Sequence, residues 1–262
     1  MKYTPICFIA LVMSCSSSSK KAPDMPGAYL MVSQTINDGT HNTKYTEVKQ
    51  LKIYTDDFFM FTQVIAADST ASFGVGSYTS DTSGVTEKSI YYSSNNSFND
   101  TTRSYKLFIT KTPDGYNQVI PDITINNAPS KLTEVYQTVG KQQSSPLDGV
   151  WKQTKAYELK GADTMWYNRT QYKSFKNGYF MFGLTDKDST GKISTDIGFG
   201  TFSMEGDNQM KETDLNSSNA VIAGQSFMID VKLDGNDHYM QSITHPDGSK
   251  TVEFYERMKE QK

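Results

Sequence analysis

Beyond residue 15 the chain has no cysteine; Cys7 and Cys15 are its only two. Disulfides, a thiol nucleophile and a thiolate metal site are therefore excluded from the rest of the protein. Histidine is almost as scarce: His41, His238 and His245 are scattered, with no spacing suited to a metal. No metal site and no cofactor are expected. No apolar run is long. The most continuous near the N-terminus, Ile6–Met13, is far short of the ~20 residues needed to cross a bilayer as a helix. No segment keeps a 3.6-residue apolar period, so helices should be few. Charge of one sign is also lacking: 26 Lys and Arg face 29 Asp and Glu, without a basic stripe. That argues against nucleic acid as a partner, since such proteins carry an electrostatic footprint. There is no Ser/His/Asp ordering with a strained elbow and no Gly-rich loop before a helix to cradle phosphate. No catalytic residue is assigned, and an enzyme is not expected.

Aromatic and turn-forming residues are abundant. There are 16 Tyr and 14 Phe, separated by Thr, Ser, Asn and Gly. That mixture fits many short strands joined by polar turns. The chain also repeats itself. Leu51–Phe61 aligns with Tyr172–Phe182, and Lys131–Tyr136 with Lys250–Tyr255. Gly27-Ala-Tyr29 aligns with Gly149-Val-Trp151, and Gly74-Val-Gly76 with Gly198-Phe-Gly200. The matches keep one order and lie 119 to 124 residues apart. A period this long marks a duplicated domain; solenoid repeats run to ~20–50 residues.

Each copy offers eight strand candidates. In the first they lie near 28–35, 44–54, 58–65, 72–79, 86–93, 104–111, 116–120 and 131–139. In the second they lie near 150–159, 165–175, 179–184, 193–204, 209–215, 225–233, 238–244 and 250–258. Asp-Gly and Asn-Gly pairs, such as Asn177-Gly178 and Asp234-Gly235, supply the positive φ of tight hairpins. Eight antiparallel strands with hairpin links remove their edges by closing into an up-and-down barrel; a two-sheet sandwich is the alternative. The expected fold is all-β, two tandem eight-stranded antiparallel up-and-down barrels. Their domains would be 27–140 and 149–262, with 141–148 as linker. The glycines at 74, 76, 198 and 200 lie inside strands, where they mark bulges or sharp bends.

The N-terminus reads as an export signal. Lys2 precedes the apolar run, and Leu11-Val-Met-Ser-Cys15 is followed by Ser16-Ser-Ser-Ser-Lys-Lys21. This resembles the lipobox of bacterial lipoproteins, although Met13 is larger than the usual spacer residue. The resemblance implies a signal peptide over 1–14, acylation of Cys15, and a tether over 15–26. It further implies a membrane partner through that anchor. Ser16 gives no inner-membrane-retention aspartate, so the expected location is the cell envelope, at the outer membrane.

The repeats in turn resemble the lipocalin and fatty-acid-binding (calycin) superfamily. Gly149-Val-Trp151 is similar to the Gly-x-Trp of the first strand of those barrels, and Tyr255-Glu-Arg257 to their last. The resemblance implies that Arg257 packs over Trp151 at the closed end. Copy one has Tyr29 and Thr138 at the two positions, so both members of the pair are absent there. Fatty-acid-binding proteins end on an inward Arg-x-Tyr. Here the positions are Glu134-x-Tyr136 and Glu253-x-Tyr255. The resemblance implies ligand-facing side chains, and a carboxylate there would repel a fatty acid. It could accept from hydroxyls or amines, or pair with an internal Lys or Arg; pairing with a cross-strand Lys at the rim is the plainer reading. The leading expectation is non-catalytic binding of a small hydrophobic or amphipathic ligand. The alternatives are filled barrels acting through an envelope protein partner and, third, an enzyme using interior Glu and Tyr.

Two further features have plain readings. Asp186–Ile193 imitates the start of a calcium loop but lacks the closing Glu and flanking helices, and reads as a hairpin tip. Phe58–Phe61 and Tyr179–Phe182 read as strand core; any outward members would help the barrels dock.

Overall fold

A computed structural model describes residues 21–65, 70–93, 103–125, 128–141 and 143–260. Eighteen strands run in order: β1 (27–37), β2 (42–45), β3 (48–54), β4 (58–65), β5 (70–81), β6 (84–92), β7 (104–112), β8 (115–125), β9 (128–139), β10 (149–160), β11 (163–166), β12 (169–176), β13 (179–187), β14 (193–204), β15 (209–217), β16 (226–234), β17 (238–244) and β18 (250–257). Every pairing is antiparallel, and from β3 to β9 and from β12 to β18 each strand pairs with its neighbour in sequence. Each sheet closes when its first strand meets its last: β1 with β9 from Ala28↔Val139 to Asn37↔Lys131, and β10 with β18 from Trp151↔Arg257 to Leu159↔Lys250.

Nine strands per sheet make eight staves. The first half of β1 pairs with β3 and its second half with β2; β10 divides itself in the same way between β12 and β11. The expected strands at 44–54 and 165–175 are thus each broken once, after Tyr45 and after Trp166. The protein is two closed eight-stranded up-and-down barrels in tandem, without a helix among the described residues.

The hairpin chemistry is local. Asn177 and Gly178 both take positive φ, 54° and 77°, the requirement of a tight primed turn. Registers slip between Val75 and Gly76 and between Phe199 and Gly200. A side chain at Gly76 would collide with the carbonyl of Lys88, and one at Gly200 with that of Thr213. These glycines therefore permit the bulges that bend β5 and β14 around their barrels.

The continuous apolar runs serve two cores at once, because successive side chains of a strand face opposite ways. Phe59 packs inside the first barrel, while Phe58 and Met60 face the second. Phe180 packs inside the second barrel, while Met181 faces the first. The layer between barrels also holds Leu51, Ile53, Phe73, Val75, Tyr172, Ile197 and Phe199. Phe73 presses on Gly183, and Tyr91 reaches across to hydrogen-bond Thr185 at 2.5 Å.

Candidate functional site

The closed end of each barrel is plugged by the chain that enters it. In the second, Trp151 is fully buried and donates from Nε1 to the carbonyl of Leu147 at 2.7 Å. Arg257, its register partner, lies with Cζ 4.0 Å from the Trp151 ring centroid. Its guanidinium also donates to the carbonyls of Pro146 (2.8 Å) and Asn236 (2.6 Å), and to that of Asp148. The Arg257–Trp151 contact is therefore present, and Arg257 also fastens Pro146 and Asp148, within the linker expected at 141–148, beneath the barrel. Gly149 sits between at φ 144°, where a side chain would strike Arg257.

The first barrel uses the same plan with different groups. The Tyr29 hydroxyl donates to the carbonyl of Met25 at 2.9 Å, again four residues back, and Met25 is buried like Leu147. Thr138 is the register partner of Tyr29 and supplies no cation. A cation is nevertheless present: Lys111 of β7 holds Nζ 5.6 Å from the rings of both Tyr29 and Tyr116. Both members of the Trp–Arg pair are absent from copy one, and a cation from another strand lies over the aromatic ring in their place. The tether expected to run through Met25 is already packed on the barrel at Pro23, whose carbonyl accepts from Ser80 at 2.6 Å.

Above each plug lies a polar layer. Glu134 and Tyr136 both point inward and are buried. Glu134 accepts from Gln118 Nε2 (2.6 Å), Gln34 Nε2 (3.2 Å) and the Tyr136 hydroxyl (3.1 Å). Gln50 donates to the Tyr136 hydroxyl at 2.6 Å. Lys52 forms an ion pair with Glu87 at 2.6 Å, and Tyr54 donates to the same carboxylate. Burial pushes the Glu134 carboxyl above its ordinary range, against the pull of Lys52.

The second barrel repeats the layer. Glu253 and Tyr255 point inward. Glu253 accepts from Gln241 (2.5 Å), the Tyr255 hydroxyl (3.0 Å) and Arg169 (2.5 Å). Gln171 donates to the Tyr255 hydroxyl at 2.7 Å. Lys173 pairs with Glu212 at 2.5 Å and donates to Gln241 at 3.1 Å. Neither glutamate pairs with a cross-strand lysine at the rim; Glu253 takes an internal arginine instead.

Six residues thus recur in equivalent places: Gln50, Lys52, Glu87, Gln118, Glu134 and Tyr136, then Gln171, Lys173, Glu212, Gln241, Glu253 and Tyr255. Only the Glu-x-Tyr pairs were singled out from sequence. A faint signal for two more existed: Gln-x-Lys falls at the same alternating positions of both copies, ahead of the aligned aromatic runs.

The first barrel also carries partly buried apolar residues. Ile36, Phe61, Tyr105, Ile109, Ile123 and Ile125 are half-buried and pack on the inner core of the first barrel. A cavity of 150 Å³ lies elsewhere, where the β3–β4 turn of the first barrel meets Asp148, Lys176 and Arg257 of the second. The imitation calcium loop is the β13–β14 hairpin tip. Its Asp188 carboxylate accepts from the Thr190 hydroxyl (2.6 Å), Lys192 N (3.0 Å) and Thr190 N (2.8 Å), and these bonds, the hydroxyl's first, hold it below the usual carboxylate range. Cys15 lies outside the described residues.

No family model matches the chain, and no curated protein does. Among solved structures it is similar to the crystal structure of a protein of unknown function from the DUF3598 family of Nostoc punctiforme. The identity is 11% over 89% of this chain and 96% of that one, with a TM-score of 0.27. A likeness that slight carries no argument here.

Proposed function

We propose that the protein is an outer-membrane lipoprotein, anchored by acylation of Cys15, with two lipocalin-like barrels that bind rather than catalyse. The first barrel holds a small amphipathic molecule in its open half. One observation supports this reading: Ile36, Phe61, Tyr105, Ile109, Ile123 and Ile125 are only half-buried against the inner core of the barrel that also holds the Gln34–Glu134 hydrogen bond. An apolar wall above a few convergent polar groups is the usual form of a ligand site, the wall supplying affinity and the polar groups orientation. The floor favours a hydroxyl or amide head group, since a carboxylate would face Glu134. The donors and acceptors of each Glu–Tyr pair are spent on neighbouring side chains, which supports a non-catalytic role.

The test is titration of a neutral fluorescent alkyl probe into the chain from Ser16 onward, which keeps every described residue. Saturable binding that Ile123→Asp abolishes is expected. No saturable binding, or binding indifferent to Ile123→Asp, would refute the site. A second reading, an accessory protein working through its surface, is favoured by the β10–β11 hairpin. Met165 and Trp166 are more than half exposed there, with Lys155 Nζ 4.9 Å from the Trp166 ring.

A further inference from the structure

Among the described residues, the inward charges of the second barrel do not balance. Two cations, Lys173 and Arg169, face three carboxyl groups, Glu212, Glu253 and Asp214. Both cations are committed: Lys173 to Glu212 and Gln241, Arg169 to Glu253 and Gln153. Asp214 is 3% exposed, and its Oδ1 has no hydrogen-bond partner. A buried carboxylate oxygen without a partner is costly, and native proteins supply one from protein, water or ligand.

Two residues along the same face of β15, the buried Asn216 Nδ2 is likewise without a partner, so the missing group has both a free acceptor and a free donor nearby. Asp214 is the register partner of Gly200 on the bulged stretch of β14–β15. Its Oδ1 lies over Gly198, beside the ring of Phe182 that covers the same glycine. Phe182, Phe227 and Ile243 are half-buried and pack on the inner core. No group of three or more His, Cys, Asp or Glu among the described residues is placed to hold a metal ion. In the first barrel the equivalent residue is Ser89, the partner of Gly76. The extra carboxyl is thus a feature of copy two.

We propose that the second barrel is an ammonium site, taking a primary amine with an apolar body, with Asp214 as its counter-ion. The ammonium donates to Asp214 Oδ1 and lies against the Phe182 ring, which attracts a cation through its π face. The alkyl or aryl body packs on Phe227 and Ile243. The site differs from that proposed in the first barrel, so the two barrels hold different ligands.

Calorimetric titration of the chain from Ser16 onward with hexylammonium, hexanol and hexanoate at about pH 8 tests this. The expected result is saturable one-to-one binding of hexylammonium, much weaker binding of hexanol, and none of hexanoate. Asp214→Asn keeps the shape and removes the charge; it should weaken hexylammonium roughly 10- to 100-fold, the value of one charged hydrogen bond. Asp214→Ser, which installs the residue of the first barrel, should do the same. Both should keep the circular dichroism of the parent and leave the neutral alkyl probe bound in the first barrel. Equal binding of hexanol and hexylammonium, no binding of the amine, or amine affinity unchanged in Asp214→Asn would overturn the proposal.

Discussion

Replacing Lys173 by Met tests what the buried layer contributes to stability. Lys173 is 2% exposed and its ammonium lies 2.5 Å from Glu212. Met nearly matches the length of the stem, so the change removes charge more than volume. Glu212 is then left buried without a counter-charge, and the folded chain escapes that penalty by protonating it. At pH 7, protonating a carboxyl whose unfolded pKa is ~4.3 costs about 3.7 kcal/mol, at ~1.36 kcal/mol per unit. Breaking a buried pair from one side costs ~3–5 kcal/mol in general, so the two routes agree. The sign with pH follows. The variant binds a proton on folding, so its stability is greatest below pH ~4 and falls as pH rises. Burial already holds Glu212 above the ordinary carboxylate range in the parent, so the deficit at pH 7 should be at most about 3–4 kcal/mol and should shrink toward pH 5. Removing both charges, in Lys173→Met with Glu212→Met, should be close to neutral. Both tryptophans, Trp151 and Trp166, lie in the second barrel. Urea unfolding followed by tryptophan fluorescence therefore places the probe in that barrel. A single variant that loses under ~1 kcal/mol at pH 7, or a deficit unchanged between pH 7 and pH 5, would refute the reasoning.

Three more outcomes are expected. Gly149→Ala should cost about 1–3 kcal/mol, because it places a side chain at φ 144° against Arg257. Gly161→Ala, at φ 63° with open space around it, should cost only about 1 kcal/mol, and comparing the two melting temperatures checks this. Burial, then the nearby Glu212, pushes the Asp214 carboxyl up to about 7 against the pull of Lys173. Its contribution to stability is therefore full below the ordinary carboxylate range and is lost as pH rises toward 7. Asp214→Asn should flatten that slope in urea titrations run between pH 5 and pH 8, with Glu212, Glu253, Lys173, Arg169, Tyr239 and Tyr255 unchanged around it. Cys15→Ala should move the protein from the membrane fraction to the soluble one; if it still sediments with membranes, the anchor is elsewhere.

The architecture was legible because it depends on features that survive in one dimension. The two copies kept their glycines, their aromatic runs and their order, and hairpin linkage of eight strands leaves closure as the economical solution. The Trp151–Arg257 contact was legible through the resemblance of two short motifs. What was hidden depends on the third dimension. Tyr167-Asn168 and Thr46-Glu47 interrupt staves without a glycine or proline to announce it. Lys111 replaces Arg257 from a strand that no terminal motif reaches. Lys52, Glu87 and Gln118 read singly as solvent-facing residues of half-buried strands, the usual pattern for an antiparallel sheet. Here β3 and β4 bury their outer faces against the second barrel, so the inner face of β3 carries the polar residues. The odd carboxyl of Asp214 appears only once every buried cation has been assigned its partner.

The most direct measurement of the central claim is mass spectrometry of the chain from Ser16 onward, purified from its own host's lysate, first native and then denatured to release what is bound. The account predicts a stoichiometric amphipathic small molecule in the native spectrum that appears free after denaturation. A clean chain mass in both states would contradict binding barrels and leave the accessory reading in their place.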